Sequence, residues 1–256
     1  MTEPKEEPEQ SFLSHLIELR QRIVRAALSV LIVFLALSPF MKRIFDLLSR
    51  PMMAALPQGA KLLATGVITP FMVPLKVTLF ASLLLALPFV LYQVWAFVAP
   101  GLYQHEKRLA APVIVSSVVM FFAGIAYCYF VVFGFVFKFI AGFAPDSVNV
   151  SPDIDAYFGF VIRMFIAFGL AFEVPIVVLL LARFGIADVA KLRRVRPYMI
   201  VGAFVIAAIF TPPDVMSQML LALPLCLLYE LGILLASLFG TRPDPAEQES
   251  APKAGN

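Results

Sequence analysis

Six apolar runs, near residues 23–41, 71–98, 112–138, 156–183, 198–211 and 216–238, take up most of the chain. A helix needs about 20 mostly apolar residues to cross a bilayer. Lipid offers no partner to an open backbone N–H or C=O, so runs of this kind must be helical. Composition agrees: 61% of the 256 residues are hydrophobic and only 14% charged, with mean hydropathy +0.91, whereas a soluble domain carries about 25% charged residues. The expected fold is an all-α integral membrane protein, with six transmembrane helices in a domain over residues 11–238. The flanking segments, 1–10 and 239–256, are polar and Pro-containing and read as disordered tails. The first of them, MTEPKEEPEQ, is acidic and leads to no small-residue cleavage site, unlike a signal peptide.

An even number of spans puts both termini on one side, and Lys and Arg decide which. Lys5, Arg20, Arg22 and Arg25 precede or open span one, Lys107 and Arg108 follow span two, and Arg183, Lys191, Arg193, Arg194 and Arg196 follow span four. The other side holds Lys42, Arg43, Arg50 and Lys61, then little beyond Lys138. The bias predicts cytoplasmic N- and C-termini. Net charge is only +3, which gives no reason to expect a nucleic acid partner. Cys128 and Cys226 lie in separate apolar runs and predict no disulfide framework. Neither histidine, His15 or His105, has a neighbour at metal-ligand spacing, and no nucleotide-binding or hydrolase motif occurs. No metal, cofactor or enzymatic activity is expected.

Within this plan, residues 11–22 (SFLSHLIELRQR) show a 3.6-residue apolar period and predict an amphipathic helix lying at the cytoplasmic interface. The outer loops SRPMMAALPQGAKLLATG and FAPDSVNVSPDID are long enough either to build a structured cap or to remain plain loops. Pro197 and Pro212 bracket a fifth span of roughly 14 residues, about 21 Å at 1.5 Å per residue, against a hydrocarbon core of about 30 Å. The sixth is interrupted by Pro224 and Glu230, so both are expected to be short. Such helices either thin the bilayer locally or hide behind their neighbours. Pro74, Pro88, Pro112, Pro175 and Pro224 predict bent helices. No 3+3 internal repeat is visible, unlike a common class of secondary transporter.

Several acids need a reason. Glu173, in FGLAFEVPIVVLL, lies near mid-span, where a carboxylate costs about 2.5–3.5 kcal/mol on insertion scales. It is read as a docking point for another helix's polar group or a proton site, or else as half of an internal hydrogen bond. Arg163 is roughly 15 Å along the same helix and about 80° round it. It is expected to snorkel outward, not to pair with Glu173. Glu18 and Glu106 lie near the cytoplasmic ends of spans one and two. They are either neutralised by Arg20, Lys107 or Arg108, or hold themselves for cations of a partner. A carboxylate receives a guanidinium through two parallel hydrogen bonds, a fork that Lys cannot copy. Asp214, just after Pro212-Pro213, suits the N-cap of span six.

The stretches SHLIELRQRI, LPQGAKLLAT, LPFVLYQVWAFVAPGLYQHEKRL, YFVVFGF, FGLAFEVPIV, RPYMIVGAFV and FTPPDVMSQMLLALP, in this order from about residue 11 to 238, together resemble the TatC family. That family is the multispanning receptor subunit of the twin-arginine protein translocase. The resemblance implies six helices in a concave, cup-like bundle in the bacterial inner membrane. It implies recognition of twin-arginine signal peptides on folded precursor proteins, and transport driven by the protonmotive force without a cofactor. Transferred by matching positions, Glu18, Arg20, Phe97 and Glu106 form the signal-peptide site. Glu173 is the intramembrane polar site facing TatA-like and TatB-like single-span partners, and several copies assemble in the receptor complex. Pro51 and Asp214 match outer-cap positions of structural or gating role. Arg163 departs from the family's more apolar span four.

Two other readings compete on the residues alone. A proton-coupled small-solute carrier explains Glu173 and the kinks but neither Glu106 nor the short fifth span. A structural scaffold predicts that Glu106 and Glu173 can both be neutralised without loss.

Overall fold

The computed structural model describes residues 7–56, 61–98, 107–142, 151–211 and 214–239. Among them are eight α-helices: α1 (Glu7–Leu37), α2 (Met41–Ala55), α3 (Thr69–Val98), α4 (Lys107–Tyr127), α5 (Phe133–Gly142), α6 (Ile154–Arg183), α7 (Val189–Phe210) and α8 (Val215–Phe239). A π-helical turn, Cys128–Val132, joins α4 to α5 into one span. The six apolar runs thus correspond to α1, α3, α4–α5, α6, α7 and α8. Five stretches are long and apolar enough to cross a membrane: Leu16–Ala55, Thr69–Phe97, Ala111–Gly142, Ile154–Arg183 and Val215–Leu238.

The fifth pass, α7, falls short for the reason visible in its sequence. Lys191, Arg193, Arg194 and Arg196 fill its first turns, leaving roughly 14 apolar residues from Pro197, or about 21 Å. The brevity expected of its neighbour does not hold. α8 runs unbroken for 25 residues through Pro224, because a single proline bends a helix without ending it when neighbours support the turn. Glu230, the other interruption, is paired with Arg196.

Two more elements differ from expectation. The amphipathic stretch 11–22 is no separate surface helix but part of α1, which is continuous over 31 residues. No Gly or Pro separates it from the apolar run that follows, so nothing stops the helix. The first outer loop, in turn, begins with a helix, α2. Met41, Ile44, Phe45, Leu48, Ser49 and Met52 point inward, while Lys42, Arg43, Asp46, Arg50 and Met53 face out, a one-sided period of 3.6.

The chain divides into two compact units, Met1–Gly169 and Leu170–Asn256, with the boundary inside α6. In the first, α1 and α2 pack on α3, α3 on α4, and α2 on α5. Aromatic rings fill its core. Phe133 lies 5.3 Å from Phe165 and 5.2 Å from Phe137, and Phe80 stacks on Phe165 at 6.0 Å. In the second, α7 packs on α8, and Val178, Ala182, Leu192, Tyr229, Ile233 and Ala236 form one buried cluster with the end of α6. Large apolar side chains such as Ile32, Leu35, Leu85 and Leu227 remain exposed, as expected of surfaces that meet lipid.

The ends of α6 are set locally. Asp153 caps its start, its Oδ1 accepting the N–H groups of Asp155 and Ala156 at 2.9 and 3.0 Å. Its end is a Schellman motif: Gly185, at φ +69°, lets the Ile186 N–H reach the Leu181 carbonyl at 3.0 Å. Only glycine adopts that φ without strain.

Candidate functional site

At one end of the first unit lie three of the residues transferred to the signal-peptide site, Glu18, Arg20 and Phe97. Successive passes alternate direction and α1 runs along α3, so the early turns of α1 and the last turn of α3 share an end. Phe97 is half-buried in that last turn. Glu18 is half-buried on α1 and bonded one turn on to Arg22, whose Nε and Nη2 both donate to Oε1, at 2.9 and 2.5 Å. The neutralising partner is therefore Arg22 and not Arg20, which is exposed. Residues four apart share a helix face, and residues two apart do not. Arg22 engages one carboxylate oxygen, Oε1. Glu106 lies outside the described residues.

The opposite end carries a built cap. Leu63 pairs with the stretch before α6: its N–H donates to the Pro152 carbonyl and its carbonyl accepts from Ile154, both at 2.9 Å. The Thr65 hydroxyl donates to Asp153 Oδ2 at 2.7 Å. Lys76 and Asp155 form an ion pair at 2.8 Å. Of the two readings of the outer loops, the described parts match the structured one. The Ala156 N–H and then the Thr65 hydroxyl hold the Asp153 carboxyl below its ordinary value, which is about 3.9. A depressed carboxyl stabilises the fold above its unfolded pKa, and that stability is lost as pH falls through the folded one. Melting in detergent should show the native chain more stable than Asp153→Asn at neutral pH, with the gap closing below about pH 4.

Pro51 lies inside α2, where it removes the N–H that would bond the Leu47 carbonyl. That carbonyl accepts the Tyr129 hydroxyl at 3.0 Å, and the next one, of Leu48, accepts Tyr157 at 2.8 Å. Arg163 is exposed, with its Nε donating to the Gly159 carbonyl at 3.0 Å. Its guanidinium is drawn back toward the start of α6, as snorkelling requires.

In the second unit, Asp214 caps α8: its Oδ1 accepts the Ser217 N–H at 2.7 Å. Replacing an N-cap Asp by Ala costs about 1 kcal/mol, whereas Asn caps nearly as well. Asp214→Ala should therefore lower the melting temperature in detergent and Asp214→Asn should restore most of it; equal loss in both would assign the effect to charge. Glu173 is half-buried on α6, two residues before the fully buried Pro175. Nearby, α8 crosses α6 at Gly232, where a Cβ would come within 3.0 Å of Pro175 Cα and 2.9 Å of Val178 Cβ. Three polar links tie α7 to α8. Arg196 and Glu230 pair at 2.6 Å, the Tyr229 hydroxyl donates to the Leu192 carbonyl at 2.8 Å, and Gln218 donates to the Phe204 carbonyl at 3.1 Å.

Sequence reasoning missed Tyr129, Tyr157, Asp153 and the Arg196–Glu230 pair. Only the last left a signal: opposite charges placed at nearly equal distances along the chain from Pro212 and Pro213.

The sequence model of the family TatC, "Sec-independent protein translocase protein (TatC)", matches residues 14–224. The Sec-independent protein translocase protein TatC of Azotobacter chroococcum mcd 1 is 50% identical over 246 residues, 96% of each chain. Its namesake in Escherichia coli K12 is 47% identical over 233 residues, 91% of this chain and 90% of that one. A crystal structure of the twin arginine translocase receptor TatC superposes with TM-score 0.77 at 37% identity, covering 88% of this chain and 98% of that one.

Proposed function

Because the chain belongs to the TatC family of Sec-independent protein translocase proteins, which are transport receptors and not enzymes, we propose that it is a twin-arginine signal-peptide receptor. In this reading it is the core subunit of a translocase that exports folded proteins. What supports it is the likeness, over 88% of this chain, to a solved twin-arginine translocase receptor.

The two arginines of the signal peptide dock at the shared end of α1 and α3. Glu106 takes one guanidinium. Glu18 takes the other through Oε2 or by displacing Arg22, with Arg20 and Phe97 lining the site. The apolar part of the signal peptide then enters the helix bundle. TatA-like and TatB-like single-span subunits gather against α7 and meet Glu173, which serves as their polar docking point. The short apolar part of α7 thins the bilayer beside them. Both termini lie in the cytoplasm and the chain sits in the bacterial inner membrane, in several copies per complex. The protonmotive force drives transport.

The test is binding of a twin-arginine signal peptide to the purified, folded protein in detergent, Arg-Arg against Lys-Lys. Tight binding of Arg-Arg alone is expected. Equal affinity for both peptides would remove the receptor reading in this form and reopen the carrier.

A further inference from the structure

We propose that Pro51 and Tyr129 act as one device, a latch in which proline exposes a backbone acceptor on α2 and the π-helical turn of the third span delivers the hydroxyl that fills it. In this account Pro51 is a positioning residue, present for the hydrogen bond that it removes.

Three observations carry this. First, the Leu47 carbonyl is the one acceptor in α2 that Pro51 deprives of its helical donor, four residues on. Here the Tyr129 hydroxyl replaces the missing N–H at 3.0 Å. Second, Tyr129 belongs to the only π-helical turn among the described residues, Cys128–Val132. An i→i+5 turn inserts a residue and re-aims the side chains that follow it, and such turns recur at functional positions. Third, the ring is held in place: Phe165 stacks on it at 6.5 Å and Phe130 meets it edge-on at 5.0 Å. Donor and acceptor thus each depend on a local departure from α-helical bonding, on two separate elements.

Tyr157 meets the same turn of α2. Its hydroxyl bonds the neighbouring Leu48 carbonyl at 2.8 Å, and the Met52 N–H is in turn hydrogen-bonded to Tyr157. The latch rests on the Leu47 carbonyl and predicts that Tyr129 is coupled to Pro51.

The experiment is a double-mutant cycle on the full chain. Its first readout is the half-life of the folded protein in detergent at fixed temperature, which does not depend on the proposed function. Tyr129→Phe should shorten that half-life about fivefold in the parent, as expected for one net hydrogen bond. In the Pro51→Ala background it should have less than about half that effect on a logarithmic scale, because the substituted alanine returns an N–H to the Leu47 carbonyl. Folded Tyr129→Phe protein that appears only with Pro51→Ala also counts for the latch; its absence in both backgrounds counts against it. Equal effects of Tyr129→Phe in the two backgrounds, or none in the parent, would overturn it.

The second readout, export of a twin-arginine precursor, rests on the receptor reading. Pro51→Ala and Tyr129→Phe should each reduce export, and the double variant should be no worse than the worse single one. Multiplying defects would show two independent roles and overturn the latch as a functional unit. A parent chain without export activity would fail the receptor reading, and the half-life cycle would still decide the latch.

Discussion

Glu106→Gln should lower the affinity for an Arg-Arg signal peptide by roughly 10- to 100-fold while leaving a Lys-Lys peptide nearly as weak as before. Hydrogen bonds to charged groups contribute about 1.5–3 kcal/mol each, and each 1.4 kcal/mol is a factor of ten. Gln keeps the size of Glu but removes the charge and one acceptor, so the two-pronged contact with a guanidinium is lost. Lys never made that contact, so its peptide has little to lose. The contrast between peptides is the informative part. A uniform drop for both would mean that Glu106 attracts any cation, and an unchanged Arg-Arg affinity would move the site elsewhere. Glu18→Gln should behave differently. It removes an acceptor and also releases Arg22 from its 2.5 Å pairing, placing a free cation beside the incoming arginines. Its defect should ease in a Glu18→Gln/Arg22→Gln double variant, a recovery that Glu106→Gln has no reason to show.

The passes of this chain were legible because lipid restricts a long apolar run to one conformation. The Asp214 cap was legible because capping is local: its acceptor and donor are three residues apart. α2 was legible and went unread. Its 3.6-residue period is plain in MKRIFDLLSRPMMAA, but Pro51 reads as a helix stop, and here the Tyr129 hydroxyl compensates the bond that proline removes. That compensation comes from far downstream in the chain, beyond the reach of any local pattern. The same kind of distance hid Asp153, whose partner Thr65 is 88 residues away. Glu18 illustrates a subtler limit. The presence of a neutralising arginine is readable, but choosing Arg22 over Arg20 requires the helical register of α1, which carries residues 11–22 without a break into span one.

Gly232→Leu should be the most destabilising single change in the second unit, by about 3 kcal/mol, the upper part of the range for overpacking. Transmembrane helices gain little from apolar burial against one another, since lipid is equally apolar, so close backbone approach carries their association. Gly232 provides it: even a bare Cβ would stand 3.0 Å from Pro175 Cα. That atom belongs to backbone, and Pro175 is fully buried, so no side chain can swing aside. The helices must separate, which loosens the cluster of Val178, Tyr229, Ile233 and Ala236. Gly232→Ala sets two effects against each other. Alanine gains up to about 1 kcal/mol in helix propensity, while the clash of its single carbon takes it away. Its net effect should therefore be small beside that of Leu. Half-lives of both variants in detergent check the order; a Leu variant as durable as the parent would mean that α8 does not need this approach. The consequence reaches function through Pro175. Glu173 is two residues earlier on the same helix, so moving the crossing moves the carboxylate. If Glu173 is the polar docking point for single-span partners, Gly232→Ala should weaken their recruitment more than it weakens the folded protein.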